Sequence, residues 1–155
     1  MEQRIARLVK PIIKGLKALT PLGDFLARLW VAKIFFQSGL TKIASWQVTI
    51  ILFSTEYQVP FLSPEVAAYI GTAAELILPI LLVIGLGGRL MILIFFIYNI
   101  ITVTSYHFLW TPQGVDGLDE HICWGLILAM LMFHGPGKFS LDHLLSKRHL
   151  IEEEI

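Results

Sequence analysis

Apolar stretches separated by short polar segments divide most of this chain into four parts of membrane-spanning length. The stretches cover residues 25–43, 66–84, 90–110 and 119–134. A helix rises 1.5 Å per residue and the hydrocarbon core of a bilayer is about 30 Å thick, so about 20 apolar residues are needed for one crossing. The pattern predicts an all-α fold in which residues 23–135 form a polytopic membrane four-helix bundle.

The first 22 residues follow a different pattern, in which cations recur every three or four positions opposite an apolar face. This pattern is typical of an amphipathic interfacial helix that lies flat on the anionic cytoplasmic leaflet, where each cation contributes about 1 kcal/mol. Pro11 predicts a kink in this helix, and the segment 20–24 with its proline predicts its end. A solvated helix or a disordered arm is the alternative. The cations are Arg4, Arg7, Lys10, Lys14 and Lys17.

Capping residues and turns mark the connections between the predicted spans. The Ser-Pro-Glu sequence at residues 63–65 combines a capping hydroxyl, a proline and a first-turn carboxylate, which predicts a helix start. Residues 45–62 carry aromatic side chains at helical spacing, which indicates a second interfacial helix followed by a turn. Residues 136–155 are expected to form a cytoplasmic tail, in which Ser140 caps a short helix.

Composition supports a membrane protein and excludes several other classes. The chain is 55% hydrophobic and 15% charged, with a mean hydropathy of +0.71, which is too apolar for an ordinary soluble domain. The chain has no basic tract with interleaved aromatic residues, which is the pattern that would indicate nucleic-acid binding. Cys123 is the single cysteine, so the chain has no internal disulfide and no C-x-x-C pair for redox chemistry or zinc.

The charges outside the predicted spans are distributed asymmetrically. With four spans, both termini lie on one side, together with Arg89 in the Gly-rich turn 85–89 and with nearly all the other cations outside the spans. The opposite side carries mainly carboxylates. The positive-inside rule therefore predicts that both termini are cytoplasmic.

Glu75 lies in the middle of the second predicted span, where an unpaired charge would cost several kcal/mol. Counted from the cytoplasmic ends of their helices, Lys33 and Glu75 both lie roughly 13 Å deep. Arg28 lies nearer the cytoplasm, but its guanidinium could reach the carboxylate and suits it well. Asn99 in the third span lies at a similar depth. We therefore predict a midplane polar group of these residues, either a structural ion-pair network or a ligand site.

A second polar cluster is predicted at the external face. His107 ends the third span, and Asp119, Glu120 and His121 begin the fourth after a short loop. Two imidazoles and a carboxylate could bind a transition metal, transfer protons or hydrogen-bond a quinone. The spacing matches no strong metal signature, and no metal is predicted. The remaining alternative is that these side chains face water.

Short motifs occur in a characteristic order from Arg28 to Leu145, and with them the chain resembles the DoxX family of small four-helix bacterial membrane proteins. The most specific motif is the run 135–142, Gly-Pro-Gly-Lys-Phe-Ser-Leu-Asp, after the fourth span. Lys33 and the basic N-terminal helix depart from the family pattern. The other matching positions are the runs 28–30 and 39–43, Val59-Pro60, Gly71, Glu75, the run 85–89, His107 and Glu120.

The resemblance implies a protein of the bacterial inner membrane, with relatives associated with thiosulfate:quinone oxidoreductase or with complexes that join sulfur-handling and antioxidant enzymes. We expect an integral membrane subunit of a quinone-linked oxidoreductase or redox-associated complex. Because the chain has no redox cofactor motif, it is an enzyme at most as such a subunit, with a quinone as candidate cofactor. The expected partners are the lipid bilayer, a soluble oxidoreductase or sulfur-handling protein, and a second copy of the chain.

Two other classes of function remain open at this point. A membrane scaffold or assembly factor would use the buried ion pairs for stability and the basic helix to recruit cytoplasmic partners. A small-solute transporter would use the midplane charges, although a chain of this length would need to dimerise to enclose a pathway.

Overall fold

The computed structural model describes residues 2–152, with the side chains of residues 9–146, and this part of the chain is all-helical. Its helices are α1 (Glu2–Ala44), α2 (Trp46–Thr55), α3 (Pro64–Ile84), α4 (Gly88–Ser105), a 3-10 turn (His107–Trp110), α5 (Val115–His134) and α6 (Leu141–Glu152). The predicted all-α class is confirmed for these residues. The end of the predicted tail, residues 153–155, lies outside them.

The predicted caps at Ser63 and Ser140 are confirmed. The Val66 amide donates to Ser63 Oγ at 3.4 Å at the start of α3, and the His143 amide donates to Ser140 Oγ at 3.2 Å at the start of α6. Each hydroxyl satisfies one of the amides that a helix leaves unpaired at its first turn. The caps therefore fix where both helices begin.

The predicted helix end at residues 20–24 is wrong. Helix α1 continues through Pro11 and Pro21 for 43 residues, about 64 Å at the ordinary helical rise. Proline removes one backbone donor, but its φ is compatible with a helix, so a helix held by packing further along can extend through it. With no turn at residues 20–24, nothing there directs the N-terminal segment along a membrane surface, and residues 9–20 are exposed.

Helix α4, which corresponds to the third predicted span, ends earlier than the sequence predicted. Helix α4 stops at Ser105, because Tyr106 is extended and forms an isolated β-bridge with Tyr57. The Gln58 amide donates to the Ser105 carbonyl at 2.8 Å, which gives this carbonyl a partner after the helix ends. Helix α5 correspondingly begins at Val115, four residues before the predicted span.

One hydrophobic core receives side chains from all four long helices. Helix α1 packs along α3, helix α4 packs along α5, and these pairs meet through contacts of α1 with α5 and of α3 with α4. The ring of Phe35 lies at its centre, in edge contact with Phe95 at 4.9 Å and Trp124 at 5.4 Å between centroids. The other buried core residues are Val31, Ala32, Leu82, Met91, Ile92, Leu128 and Leu131.

Two of the described helices, α3 and α4, are long and apolar enough to cross a membrane. Each carries large apolar side chains on its outer face, including Ile77 and Ile97, which are 54% and 46% exposed. The carboxylate of α3 faces the opposite way, since Glu75 is only 3% exposed. The middle of α3 and α4 is therefore apolar on the outside, and the polar residues Glu75 and Asn99 lie inside.

Candidate functional site

A buried ion pair between Lys42 and Glu75 connects α1 to α3. Lys42 Nζ lies 2.6 Å from Glu75 Oε2, and the two residues are 8% and 3% exposed. The same ammonium donates to Ser38 Oγ at 2.8 Å, one helical turn earlier. Gly39 permits this approach, because a Cβ there would lie 3.0 Å from Leu76 Cδ2. Small residues preceding the lysine therefore let the two helix backbones come close.

The second oxygen of the Glu75 carboxylate is held by Tyr98 of α4. The Tyr98 hydroxyl lies 3.2 Å from Glu75 Oε1 and 3.1 Å from the Gly71 carbonyl, so its proton is shared between two acceptors. Thr102, one turn further along α4, donates to the Tyr98 carbonyl at 3.1 Å. Both carboxylate oxygens thus have a protein donor, as a buried charge requires.

The predicted pairing of Glu75 with Lys33 or Arg28 is wrong. Lys33 is exposed and borders a groove of about 290 Å³ on the outer surface between α1 and α3. The depth count failed because α1 is shifted along α3, so that Gly39 lies beside Glu75. Helical side chains point toward the N-terminus, so the lysine that reaches Glu75 is Lys42, the cation following this close contact.

Arg28 does not contact Glu75 but binds the C-terminal end of α3. It is 1% exposed and donates to the carbonyls of Leu82 and Val83 at 3.4 Å each, and also to the carbonyl of Phe139. A cation at the carbonyl end of a helix is favourable, because the unpaired carbonyls there carry partial negative charge. Arg28 therefore connects α1, the end of α3 and the segment before α6.

The predicted external cluster does not form. His121 lies half-buried in the interior, where its Nδ1 is 2.8 Å from Asn99 Oδ1, while the Asn99 amide nitrogen donates to the His121 carbonyl at 3.0 Å. In this arrangement Nδ1 carries the proton. His107, Asp119 and Glu120 are exposed, and no hydrogen bond or ion pair within the described side chains joins them to His121.

Sequence reasoning placed Asn99 with Glu75 and His121 with His107, but the structure pairs Asn99 with His121. The reason is the rotation of α5 about its axis, which the loop length does not specify. Arg89 is exposed, as expected for a turn, and lies close to Gly135. Among the described residues, no group of three or more His, Cys, Asp or Glu side chains could hold a metal ion.

An outer cavity of about 290 Å³ lies between α2, α3 and α4 and reaches the buried carboxylate. Its walls are mostly apolar. The polar residues Tyr57, Glu75, Tyr98, Thr102 and Ser105 also line it. An apolar cavity with a few convergent polar groups is the usual form of a small-molecule site.

An inner cavity of about 240 Å³ lies on the other side of Glu75, lined by side chains of all four long helices. Tyr57, Glu75 and Thr102 border both cavities. Ser38 and His121 line only the inner one, which makes it the more polar of the two. Glu75 therefore lines both the apolar outer cavity and the more polar inner cavity.

Tyr57, which follows α2, is the main residue that sequence reasoning missed. Burial raises the pKa of its phenol well above the ordinary value, and the neighbouring Glu75 carboxylate and Tyr106 raise it further. Its ring stacks on those of Phe53 and Tyr106, each at 4.5 Å between centroids. Tyr57 is therefore a protonated, fixed phenol at neutral pH. The helical spacing of the aromatic residues in 45–62 includes Tyr57, but it predicted an interfacial helix and not a position beside Glu75.

Comparisons with known proteins agree with the motif resemblance. No curated protein and no solved structure matches this chain. The model of the DoxX family matches residues 23–108, which include α2, α3, α4 and the part of α1 that carries Arg28 and Lys42. Because this match covers more than half of the sequence, the chain belongs to the DoxX family.

Proposed function

We propose that this DoxX-family membrane protein is the membrane subunit of a quinone-linked redox system, and that the quinone ring enters the outer cavity. The proposal includes a four-helix bundle of α1, α3, α4 and α5 in the bacterial inner membrane, with both termini in the cytoplasm. Its first support is that apolar side chains lie outside and charged ones inside, the opposite of the distribution in a soluble protein. Exposed apolar residues cover the outer faces, whereas Lys42, Glu75 and Asn99 are buried.

One observation carries the ligand assignment: an apolar cavity of about 290 Å³ ends on a buried carboxylate and phenol. A quinone combines an apolar tail and ring with two oxygens that accept hydrogen bonds, and the cavity offers both apolar and polar surface. The cavity contacts the ring side chains of Tyr57 and Tyr98, which can pack against a planar ligand.

The chain contributes binding and positioning rather than electron transfer of its own. Its sequence carries no redox cofactor motif, so electrons would pass between the quinone and a partner, such as a soluble oxidoreductase or a sulfur-handling protein. The family's redox association supports this arrangement. The residues that would hold the ring are Glu75, Tyr98 and Tyr57.

A matched pair of cavity-filling variants tests the ligand site. Ile101 lines the outer cavity and is 44% exposed, whereas Ile80 lines the outer-surface groove beside Lys33 and is 50% exposed. Ile101→Trp should reduce the affinity for a decyl-benzoquinone at least tenfold, because the indole fills space that the ring needs. Ile80→Trp should leave affinity unchanged. Binding is measured by calorimetry in detergent or nanodiscs.

Two results would contradict the proposal. One is a wild-type protein that binds no quinone analogue under these conditions. The other is an Ile80→Trp variant that loses as much affinity as Ile101→Trp, which would locate the ligand in the groove beside Lys33. Deletion of the gene should also lower quinone reduction in membranes.

A second candidate function, a scaffold for cytoplasmic partners, is favoured by the exposed N-terminal part of α1. Its cations Lys10, Lys14 and Lys17 and its apolar residues Ile12 and Leu16 are all exposed. Such a helix could bind an acidic partner protein. Affinity capture with and without residues 2–19 separates the two functions. Loss of partners together with retained quinone binding would support the scaffold.

A further inference from the structure

The outer cavity presents more hydrogen-bond acceptors than donors at its inner end. Glu75 is a carboxylate whose oxygens can each accept a further bond beyond those from Lys42 and Tyr98. The hydroxyl protons of Tyr98 and Thr102 are both engaged with protein oxygens, so each hydroxyl offers only lone pairs. Lys42, the nearest cation, does not line this cavity.

Two donors are available to a ligand in the cavity. The hydroxyls of Tyr57 and Ser105 have no hydrogen-bond partner within the described residues, and both residues line the cavity. Tyr57 also borders Glu75 through the inner cavity, so a donor and a charged acceptor lie beside the same space. The Tyr57 phenol is protonated at neutral pH, because the ordinary pKa of a tyrosine lies near 10 and burial raises it further.

From this arrangement we infer that the site selects the reduced, hydroxyl-bearing form of its aromatic ligand, a hydroquinone, over the oxidised quinone. The inference rests on the proposed quinone site. A hydroquinone oxygen can donate to Glu75 while it accepts from Tyr57. A quinone oxygen can only accept, so it leaves the carboxylate without a ligand partner and brings a carbonyl oxygen close to a negative charge.

The expected size of the preference for the hydroquinone follows from its hydrogen bond to the charged Glu75 carboxylate. Hydrogen bonds to charged groups are among the stronger ones in proteins, and sites built to bind a hydroxyl strongly reject analogues that lack it. We expect the hydroquinone to bind at least tenfold more tightly. For a two-electron couple, a tenfold tighter reduced form raises the midpoint potential of the bound ligand by about 30 mV relative to the free one.

The test measures both redox forms of one ligand. Decyl-benzoquinone and its hydroquinone are titrated separately into the protein under anaerobic conditions, and the midpoint potential of the bound couple is measured by spectroelectrochemistry. Tighter binding of the hydroquinone by tenfold or more, with a raised potential, supports the inference. Equal affinities, or a preference for the quinone, overturn the inference and leave the proposed site intact. Binding of neither form overturns the proposed site and the inference together.

Two variants test the acceptor Glu75 and the donor Tyr57 separately. Glu75→Gln replaces one acceptor by an amide donor, so the ratio of hydroquinone to quinone affinity should fall close to one. Because this change also leaves Lys42 unpaired, a second variant avoids the ion pair. Tyr57→Phe removes the donor, which should weaken quinone more than hydroquinone and raise the ratio severalfold. Tyr106→Phe, on a stacked tyrosine outside the cavity lining, is the control and should leave the ratio unchanged. An unchanged ratio in Tyr57→Phe as well would contradict the assigned donor.

Discussion

At the scale of single residues, the fold depends on charges that lie away from solvent and are paired with protein groups. Lys42 bonds Glu75 and Ser38, and Glu75 bonds Lys42 and Tyr98. Removing one member of such a pair is much more destabilising than replacing both by apolar groups, because the remaining charge stays buried without compensation. The ion pair is therefore important for stability whether or not a ligand uses the carboxylate.

The Lys42–Glu75 pair is testable through a double-variant cycle. Glu75→Gln should lower the free energy of unfolding by about 3–5 kcal/mol, because it leaves the Lys42 ammonium buried without a counter-charge. The double variant Lys42→Met with Glu75→Leu should recover much of this loss. The measurement is unfolding in detergent, followed by circular dichroism.

Lys33→Gln is the matched control for this cycle, since its side chain is exposed on the outer surface. A change within about 0.5 kcal/mol is expected. A loss as large as that of Glu75→Gln would instead indicate that Lys33 is the partner of Glu75.

At the scale of helices and turns, the C-terminal end of α3 and the N-terminal end of α6 are held together by a compact set of contacts. The Asp142 amide donates to the Gly85 carbonyl at 3.3 Å, and the Gly87 amide donates to Asp142 Oδ1 at the same distance. Arg28 adds bonds to the last carbonyls of α3 and to the segment before α6. This arrangement explains why the Gly-rich turn 85–89 and the motif at 135–142 occur together in one chain.

Gly85 is the most constrained position of this arrangement. Its φ is +66°, and a Cβ there would lie 2.5 Å from both Arg28 Nη1 and Ser140 Cβ. Gly85→Ala should therefore destabilise the protein by about 2 kcal/mol or more, through backbone strain and displacement of the guanidinium.

Gly23→Ala provides the contrast within helix α1. A Cβ at Gly23 would meet nothing within 4 Å, so the substitution should stabilise the helix by about 0.5–1 kcal/mol. Thermal unfolding of both variants in the same detergent checks the pair. Similar effects of the two changes would show that the contacts of Gly85 do not hold the turn.

At the scale of the whole molecule, large apolar side chains are exposed along the outer faces of the long helices. The largest exposed side chains on α5 include Leu126 and Phe133, which are 63% and 73% exposed. Exposed apolar surface on this scale is unfavourable in water and favourable in lipid. The proposed orientation adds that the end carrying Arg89 and Lys138 faces the cytoplasm.

Cysteine labelling tests this orientation. In a Cys123→Ser background, Gln113→Cys and Lys138→Cys place thiols at exposed positions on opposite ends of the proposed bundle. A membrane-impermeant maleimide should label position 113 in intact spheroplasts and position 138 only after permeabilisation. Labelling of both positions from the same side would contradict the four-span arrangement.

The sequence by itself determined the helical class, the caps at Ser63 and Ser140 and the family, because each depends on local spacing or on a short motif. Only the tertiary structure decided which charges meet. Lys42 rather than Lys33 pairs with Glu75, because the pairing depends on how far α1 is shifted along α3. His121 bonds Asn99 rather than joining His107, because this depends on the rotation of α5. Such shifts and rotations follow from packing of the whole core, which no local pattern encodes.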